Sequence, residues 1–141
     1  MSREGTVNQS LSIIKDNLDY RSKQGNSFNF DVSIGKGPSP GAITVTGAGT
    51  DVDFSELTTP AVCRITNLDD TDFVEYGIYD SVTGELYLLG EVLPGETWPF
   101  RLSRNLGSSI SSGTAIVDTG HTLRIVSNNG PVNVLVEAFD A

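Results

Sequence analysis

The chain has few of the residue types on which many catalytic and metal sites depend. It contains one cysteine, Cys63, and one histidine, His121, among 141 residues. A lone cysteine forms no internal disulfide, so a secreted disulfide framework is not expected. The apolar context "AVCRI" predicts a buried thiol. A zinc site needs several Cys or His ligands and a thiol nucleophile needs a histidine base, so neither kind of site is expected.

Basic residues are also scarce, with 9 Lys and Arg against 18 Asp and Glu and a net charge of -9. Binding to nucleic-acid phosphates or to an anionic membrane surface requires a basic face, so neither partner is expected. The segment "MSREGTVNQSLSIIKDN" lacks a signal-peptide core, and no apolar run reaches membrane-spanning length. "GKGPSPG" lacks the following helix of a phosphate-binding loop, so no cofactor is expected. These features predict a soluble protein made in a cytoplasm.

The charge is distributed unevenly along the chain. Residues 1–40 hold five Lys and Arg against four Asp and Glu, a net charge of +1, whereas residues 41–141 hold four against fourteen, a net charge of -10. The segment "IGKGPSPGA" (34–42) has three Gly and two Pro, which predicts a break in regular structure. We therefore expect an N-terminal assembly arm with a Gly/Pro linker over 1–40 and one β-domain over 41–141.

Strand patterns are abundant. "SFNFDVSI" alternates apolar and polar residues, and "LSIIKDNLDYRS" is interpreted as an extended segment or short turn. After the linker, strands are predicted in "AITVTG", "AVCRITN", "FVEYGIYD", "ELYLLGEVL", "TWPFRLS", "TAIVD", "TLRIVSN" and "VNVLVEAF". Turns are expected at "DSVTGE", "LPGE" and the hairpin signal "SNNGP", with a helical turn at "FSELTTPA" and a flexible loop at "SSISSG". About eight strands predict an all-β fold, a single jelly-roll-like β-sandwich with an extended N-terminal arm.

Asp118-Thr119-Gly120 follows two apolar residues, as the catalytic triplet of an aspartic protease does. Single-domain proteases of that kind pair two such carboxylates by dimerising. However, they carry the triplet near the start of the domain, and His121 stands here where the protease family has a small residue. We therefore interpret the triplet as a turn that closes one strand before "HTLRIVS" begins, and we do not expect an enzyme.

Two acidic clusters offer oxygen ligands that could suit calcium. One is Asp69, Asp70 and Asp72, and the other is Asp51, Asp53 and Glu56. Neither has the spacing of an EF-hand loop, so solvated turn carboxylates are the preferred interpretation and no metal is predicted.

The aromatic residues could form a sugar-stacking platform on a carbohydrate-binding module. They are Tyr76, Tyr79, Tyr87, Trp98 and Phe100. Because Tyr87 and Trp98 are flanked by core-type residues, core packing or one large interface is the preferred interpretation.

The chain as a whole resembles the small β-sandwich structural proteins of tailed-bacteriophage virions. The similarity covers residues 11–141 and lies in the arm "SLSIIKDNLDYRSKQGNSFNFDVSIGKGPSPGAITV", the body "CRITNLDDTDFVEYGIYDSVTGELYLLGEVLPGETWPFRLSRNLG" and the closing strand "NVLVEAFDA". The resemblance implies a non-enzymatic capsid decoration protein that binds the major capsid protein or another virion protein. The alternatives that it leaves open are a head fibre, connector or tail accessory protein. It implies neither a reaction nor a cofactor.

The arm itself predicts assembly, because an apolar face on an extended segment cannot be buried alone. Such a segment is expected to add a strand to a neighbour's sheet edge or to lie along a partner. Symmetric self-association, with a trimer favoured, would also cover exposed sheet edges. The residues predicted to bind partners are Leu11, Ile13, Tyr20, Phe28 and Phe30.

Overall fold

The computed structural model describes residues 5–21, 26–30, 37–103, 108–111, 115–118 and 120–140. Within these ranges the protein consists of β-strands, turns and irregular segments, with no helix. The prediction of an all-β chain is confirmed.

The first four strands belong to the arm, and they form two separate hairpin-like pairs. They are β1 (Gly5–Gln9), β2 (Ser12–Lys15), β3 (Leu18–Arg21) and β4 (Asn26–Phe30). β1 pairs with β4 and β2 pairs with β3, both antiparallel. The segment "LSIIKDNLDYRS" is therefore extended with a tight turn, as predicted. Val32 and Ile34, the second half of the predicted "SFNFDVSI" strand, lie outside the described residues.

Ten more strands follow, and eight of them form two four-stranded antiparallel sheets. They are β5 (Ser39–Val45), β6 (Thr50–Asp51), β7 (Pro60–Asn67), β8 (Val74–Asp80), β9 (Glu85–Val92), β10 (Thr97–Arg101), β11 (Ser108–Ser111), β12 (Ala115–Asp118), β13 (His121–Ser127) and β14 (Val132–Asp140). Sheet I has the order β10-β7-β14-β5, and sheet II has the order β6-β13-β8-β9. β11 and β12 form a separate two-stranded sheet.

The two four-stranded sheets share one hydrophobic core. β14 alternates strictly, with Val132, Val134, Val136 and Ala138 fully buried and the residues between them partly or largely exposed. Such alternation gives a strand one apolar face, which must be covered by another layer. Sheet II supplies that layer through its own buried residues, among them Val74, Val92, Leu123 and Ile125. Among the residues whose burial the structure describes, the buried members of this core all lie between Val45 and Ala138, after the arm.

Two buried polar side chains are satisfied within the body. The Asn67 side-chain amide donates to the carbonyls of Asp72 at 2.8 Å and Val92 at 3.1 Å. The Asp140 carboxylate accepts the backbone N–H groups of Thr58 and Thr59 at 2.9 and 2.7 Å. Since an unpaired buried polar group is costly, these bonds tie the connecting loops to the sheet ends.

The predicted turn chemistry is right at two of three places. Gly84 has a φ of 76° in the β8–β9 hairpin, and Gly95 has a φ of 75° in the "LPGE" turn. In that turn the Glu96 N–H donates to the Leu93 carbonyl at 3.0 Å. The Asn-Gly of "SNNGP" does not form a hairpin, because β13 belongs to sheet II and β14 to sheet I. The same turn residues instead carry the chain from one sheet to the other.

Three other local predictions are wrong. "SSISSG" was expected to be a flexible loop, but its first four residues form β11, which pairs with β12. The linker was expected to break regular structure, but β5 begins at Ser39 and runs through Pro40 and Gly41 because it pairs with β14. "FSELTTPA" forms turns and bends with a single Leu57 N–H to Phe54 carbonyl bond, not a helical turn.

Candidate functional site

The pair β2–β3, here called the arm hairpin, is exposed on both faces. Its two-residue turn begins at Asp16, whose φ of 52° lies in the left-handed region that aspartate tolerates in tight turns. Ile13 is paired with Tyr20 across the hairpin. All large apolar side chains of this region are exposed, from 45% to 66%: Leu11, Ile13, Ile14, Leu18 and Tyr20. The arm hairpin therefore buries little apolar surface against the body.

A second exposed apolar surface lies where β9 and β10 border the same side of the two sheets. We call it the open side and define it by Tyr87, Leu88, Leu89, Leu93 and Trp98, which are 43% to 66% exposed. Tyr76 lies at the border between this surface and the core. Its ring stacks on Phe100, with 5.5 Å between the ring centroids. A groove of about 570 Å³ opens next to this stack and is lined in part by Gly90, Leu93 and Trp98.

The exposure of the open side overturns the prediction that Tyr87 and Trp98 are packed in the core. β9 is the last strand of sheet II, and β10 is the last strand of sheet I. Side chains on an edge strand are covered by neighbours on one flank only. Tyr87 and Trp98 are therefore about half exposed, as is Leu88, which follows Tyr87 in β9. Their exposure leaves an interface and a carbohydrate-binding surface as the two predicted explanations for Tyr87 and Trp98.

The β9 edge differs from the other three sheet edges in the described part of the chain. β6 has only two residues, while β5 and β10 contain Pro40 and Pro99, which lack the N–H that a further strand would need. Short strands and prolines are common protections of sheet edges. β9 has eight residues, no proline, and pairs only with β8 within the described ranges. It therefore offers an edge to which another strand could be added, interrupted by a β-bulge at Leu89.

A β-bulge sets the course of β9 next to the open side. The register of the β8–β9 pair shifts between Tyr76 and Gly77, where Gly77 is paired with Leu88. A Cβ at Gly77 would lie 2.1 Å from the Tyr87 carbonyl oxygen, so only glycine permits this approach. The shift leaves Leu89 without a register partner on β8. Tyr87 and Leu88, which are paired with Ile78 and Gly77, point to opposite faces of the sheet edge, whereas the unpaired Leu89 interrupts the alternation.

The open side is acidic as well as apolar. β8 and β9 carry Glu75, Asp80, Glu85 and Glu91 and no Lys or Arg. The Glu85 carboxylate accepts a hydrogen bond from the Tyr87 hydroxyl, and this bond raises the pKa of Tyr87 above its ordinary value. Burial raises the pKa of Tyr76 as well. Both phenols remain protonated at neutral pH, so the charge of this surface comes from its carboxylates.

The arm meets the body along the outer face of sheet I. The Gln9 side-chain amide donates to the Pro99 carbonyl at 3.1 Å. A groove of about 660 Å³ lies between the arm strand β1 and the sheet, with Trp98, Pro99 and Phe139 among its apolar lining. Its polar lining includes Arg64, whose Nε donates to the Glu137 carboxylate at 2.7 Å. Leu11 is the last arm residue that lines this groove. The arm hairpin begins at the next residue, Ser12.

The predicted arm residues do not form one surface. Leu11, Ile13 and Tyr20 lie in or beside the arm hairpin, and all three are exposed. Phe28 and Phe30 lie in β4, opposite Val7 and Gly5, and the structure describes their backbone only. Sequence reasoning missed Ile14, Leu18, Leu88, Leu89 and Leu93. Adjacent apolar residues in "SII" and "YLL" could have indicated this exposure. Neighbouring residues in a strand face opposite sides of the sheet, so two adjacent apolar side chains cannot both face one core.

Asp118-Thr119-Gly120 closes one strand before the next, as predicted. Asp118 is the last residue of β12, and His121 is the first residue of β13. Gly120 has a φ of 72°, and its carbonyl accepts the Ser81 N–H at 3.4 Å. Thr119 lies outside the described residues. The His121 Nε2 is 3.6 Å from an Asp80 carboxylate oxygen.

One carboxylate of each acidic cluster, Asp69 and Asp51, binds other groups of the protein. Asp69 accepts the backbone N–H groups of Thr71 and Asp72 at 2.8 Å each, and these bonds lower its pKa. Asp51 binds Arg124, with 2.6 Å between carboxylate oxygen and Nε, and this contact lowers the pKa of Asp51. Arg124 also lies 3.3 Å from the centre of the Tyr79 ring. Across the described ranges, no three Asp, Glu, His or Cys side chains are grouped as metal ligands.

Cys63 is fully buried at 0% exposure in β7. Burial, with a smaller contribution from Glu137, raises the pKa of its thiol to about 12. Since the thiolate is the reactive form, Cys63 acts as a small apolar core residue, as predicted.

Comparison with known proteins adds no relative. No protein-family model matches the chain, and no curated protein or solved structure matches it either. Among the described residues there is no helix with the length and apolar character needed to cross a bilayer.

Proposed function

We propose that this chain is a non-enzymatic structural protein of a tailed-phage virion, a capsid decoration protein that attaches through its N-terminal arm. The body is a jelly-roll-type β-sandwich that provides a rigid, acidic platform. The partner is the major capsid protein or another virion protein, and the assembled form is a homo-oligomer with three copies favoured.

The observation that carries this proposal is the exposure of the arm hairpin. Its four large apolar side chains, Ile13, Ile14, Leu18 and Tyr20, are 45% to 66% exposed, although burial of one such side chain is worth about 1.5–3 kcal/mol. A soluble chain gains this free energy only by placing the hairpin against another molecule. Among the residues whose burial the structure describes, all buried core members lie after the arm, so the body has a core of its own.

The charge distribution supports the same arrangement. The arm region is near neutral, with a net charge of +1, whereas residues 41–141 carry -10. Bodies of like charge repel one another, so close packing of many copies needs a contact segment that is not acidic. The arm is that segment.

The test uses particles of the phage that encodes this chain, prepared without it. The full chain and a chain lacking residues 1–34 are added, and cryo-electron microscopy measures occupancy on the head, connector and tail. We expect the full chain to occupy the head surface and the truncated chain, still folded by circular dichroism, to be absent. Normal binding by the truncated chain would refute arm-mediated attachment, and binding at the tail or connector would favour an accessory protein there.

A carbohydrate-binding module is a second candidate, favoured by the exposure of Trp98. This residue is 50% exposed and lines the 660 Å³ groove together with the polar side chains of Gln9 and Arg64. Aromatic faces beside polar groups suit sugar rings. Because Trp98 is the only tryptophan, its fluorescence reports directly on binding. Saturable quenching by an oligosaccharide panel, lost in Trp98→Ala, would support this candidate, and an unchanged spectrum would remove it.

A further inference from the structure

Exposed apolar surface is concentrated in two places on the molecule. Twelve large apolar side chains are exposed in the described part of the chain, and five belong to the arm hairpin region and five to the open side. The remaining two, Leu68 and Val82, are single residues in loops. Isolated exposed apolar residues are common on protein surfaces, whereas clusters of them mark interaction sites. The two clusters therefore indicate two surfaces that bind a partner.

The two clusters match in strand geometry. β2 carries Ile13 and Ile14 on its opposite faces, and only one of its edges is paired, with β3. β9 carries the adjacent exposed residues Tyr87 and Leu88, which face opposite sides, and only one of its edges is paired, with β8. A strand added beside β9 would place side chains next to both faces of its edge. β2 has an apolar side chain for each face, Ile13 for one and Ile14 for the other.

Charge distinguishes this pairing from the pairing of two identical edges. β9 carries Glu85 and Glu91 near its ends and no base. Antiparallel pairing of two β9 strands would bring these carboxylates together, and like charges opposite one another are destabilising. β2 carries one charge, Lys15, and no acid. The acidic edge is therefore complementary to β2 and not to itself.

We propose that the open side is the docking site for the arm hairpin of a second copy of this chain, with β2 added as a strand beside β9. The inference deepens the proposed function and rests on it, because it names the receptor for the arm. Tyr87 and Leu88 contact the incoming Ile13 and Ile14, and Lys15 meets one carboxylate, because Glu85 and Glu91 are six residues, about 20 Å, apart on β9. Leu93 and Trp98 cover the rest of the hairpin.

An interface of this kind is heterologous, since each copy gives a hairpin and receives one. Such contacts generate a closed ring when the rotation between copies closes and an open chain when it does not. A ring of three copies satisfies every hairpin and every open side, and it leaves the rest of the arm, with β1 and β4, for attachment to the particle. It also covers the one long sheet edge that proline or shortness does not protect.

The experiment uses three double variants of the full chain. The arm variant is Ile13→Ser with Ile14→Ser, and the edge variant is Leu88→Ser with Leu89→Ser. The matched control is Leu68→Ser with Val82→Ser, which removes equally exposed apolar side chains outside both clusters. Sedimentation velocity gives the dissociation constant of self-association, and thermal unfolding followed by circular dichroism checks folding. We expect the arm and edge variants to weaken association by about a hundredfold or more, and the control to behave as the unchanged chain.

Mixing gives the decisive result. The edge variant retains an intact hairpin, and the arm variant retains an intact open side. An equimolar mixture is therefore expected to form hetero-dimers although neither variant associates alone. A hairpin-to-hairpin or edge-to-edge interface would not be restored by mixing.

Each contrary outcome has its own meaning. Normal self-association of the edge variant, or a mixture that stays monomeric, overturns the docking site while arm-mediated attachment to particles stands. An unchanged chain that is monomeric and protects its own Leu88 and Leu89 amides from hydrogen exchange shows the hairpin docked on its own body, which overturns the second copy. An arm variant that self-associates and still binds phage particles normally overturns the docking site and the proposed function together.

Discussion

The Gln9 side chain reaches across to the Pro99 carbonyl, at 3.1 Å, and so joins the arm to the edge strand of sheet I. Pro99 follows Trp98, which belongs to the open side. The arm therefore leaves the body next to the surface that we propose as the receptor for a neighbour's hairpin. Gln9, three residues before the arm hairpin, and Trp98 of the open side both lie at β10, yet the arm hairpin residues remain exposed. This placement suits a head-to-tail assembly in which each copy reaches to the next.

Gly77→Ala tests how the open side is built. A Cβ at this position would meet the Tyr87 carbonyl oxygen at 2.1 Å, so β9 must move away from β8. We expect a loss of about 1–3 kcal/mol in the free energy of unfolding, as for other overpacked sites, together with weaker self-association. Urea unfolding and sedimentation measure the two effects. Gly47→Ala is the control, since its Cβ would lie 3.7 Å from the nearest atom, and it should change stability by less than about 0.5 kcal/mol.

Asp140→Ala removes the acceptor of the Thr58 and Thr59 amides. Asp140 is fully buried, so the two N–H groups lose their partner in a place that water reaches poorly. We expect the free energy of unfolding to fall by about 2–3 kcal/mol in urea titrations. Asp140→Asn keeps an acceptor oxygen and should lose less. Equal stability of Asp140→Ala and the unchanged chain would contradict the assigned role.

Cys63 should be unreactive in the native protein. Its thiol is fully buried and burial raises its pKa to about 12, so both access and thiolate are lacking at pH 8. We expect Ellman's reagent to label no thiol in buffer and one thiol per chain in concentrated urea. Rapid labelling without urea would show that the core around β7 opens readily.

Acid should destabilise the fold. Asp69 has a folded-state pKa below the ordinary value of 3.8, because Asp72 and Thr71 donate backbone hydrogen bonds to it, and Asp51 has a lowered pKa because Arg124 binds it. The stabilisation from such groups is complete above their unfolded-state pKa and is lost as the pH falls through the lower folded-state pKa.

Urea midpoints at pH 5 and pH 3 measure this dependence. We expect the midpoint to be lower at pH 3 than at pH 5. In Asp69→Asn the difference should be smaller, because the amide does not titrate there. A higher midpoint at pH 3 would contradict the sign of the shifts.

The sequence predicted the core well because alternation is a local signal. Val132, Val134 and Val136 are recognisable as one apolar face from "VNVLVEAF" alone, and they are fully buried. Trp98 carries the same alternating signal in "TWPFR" and is half exposed. Whether a strand lies in the middle of a sheet or at its edge depends on pairing with distant residues, which alternation does not encode.

Turn signals have a similar limit. "SNNGP" and "DSVTGE" contain comparable turn residues, yet the first joins two sheets and the second joins paired strands. The backbone angles of Gly130 and Gly84 are nearly alike, at 66° and 76°. The difference lies in the pairing of the flanking strands: β8 and β9 pair with each other, whereas β13 and β14 belong to different sheets. The sequence predicted that the arm binds a partner. The surface proposed to receive it could be identified only from the order of strands in sheet II, which makes β9 an edge strand.

Sedimentation of the full chain over a wide range of concentration tests the central claim most directly, since that claim is assembly through the arm hairpin. The account predicts a mass that rises from one 15.0 kDa chain to a closed oligomer, with three copies favoured, and a rise that is absent in the variant with Ile13→Ser and Ile14→Ser. A single 15.0 kDa species at every concentration, with the arm hairpin amides protected from hydrogen exchange, would contradict it.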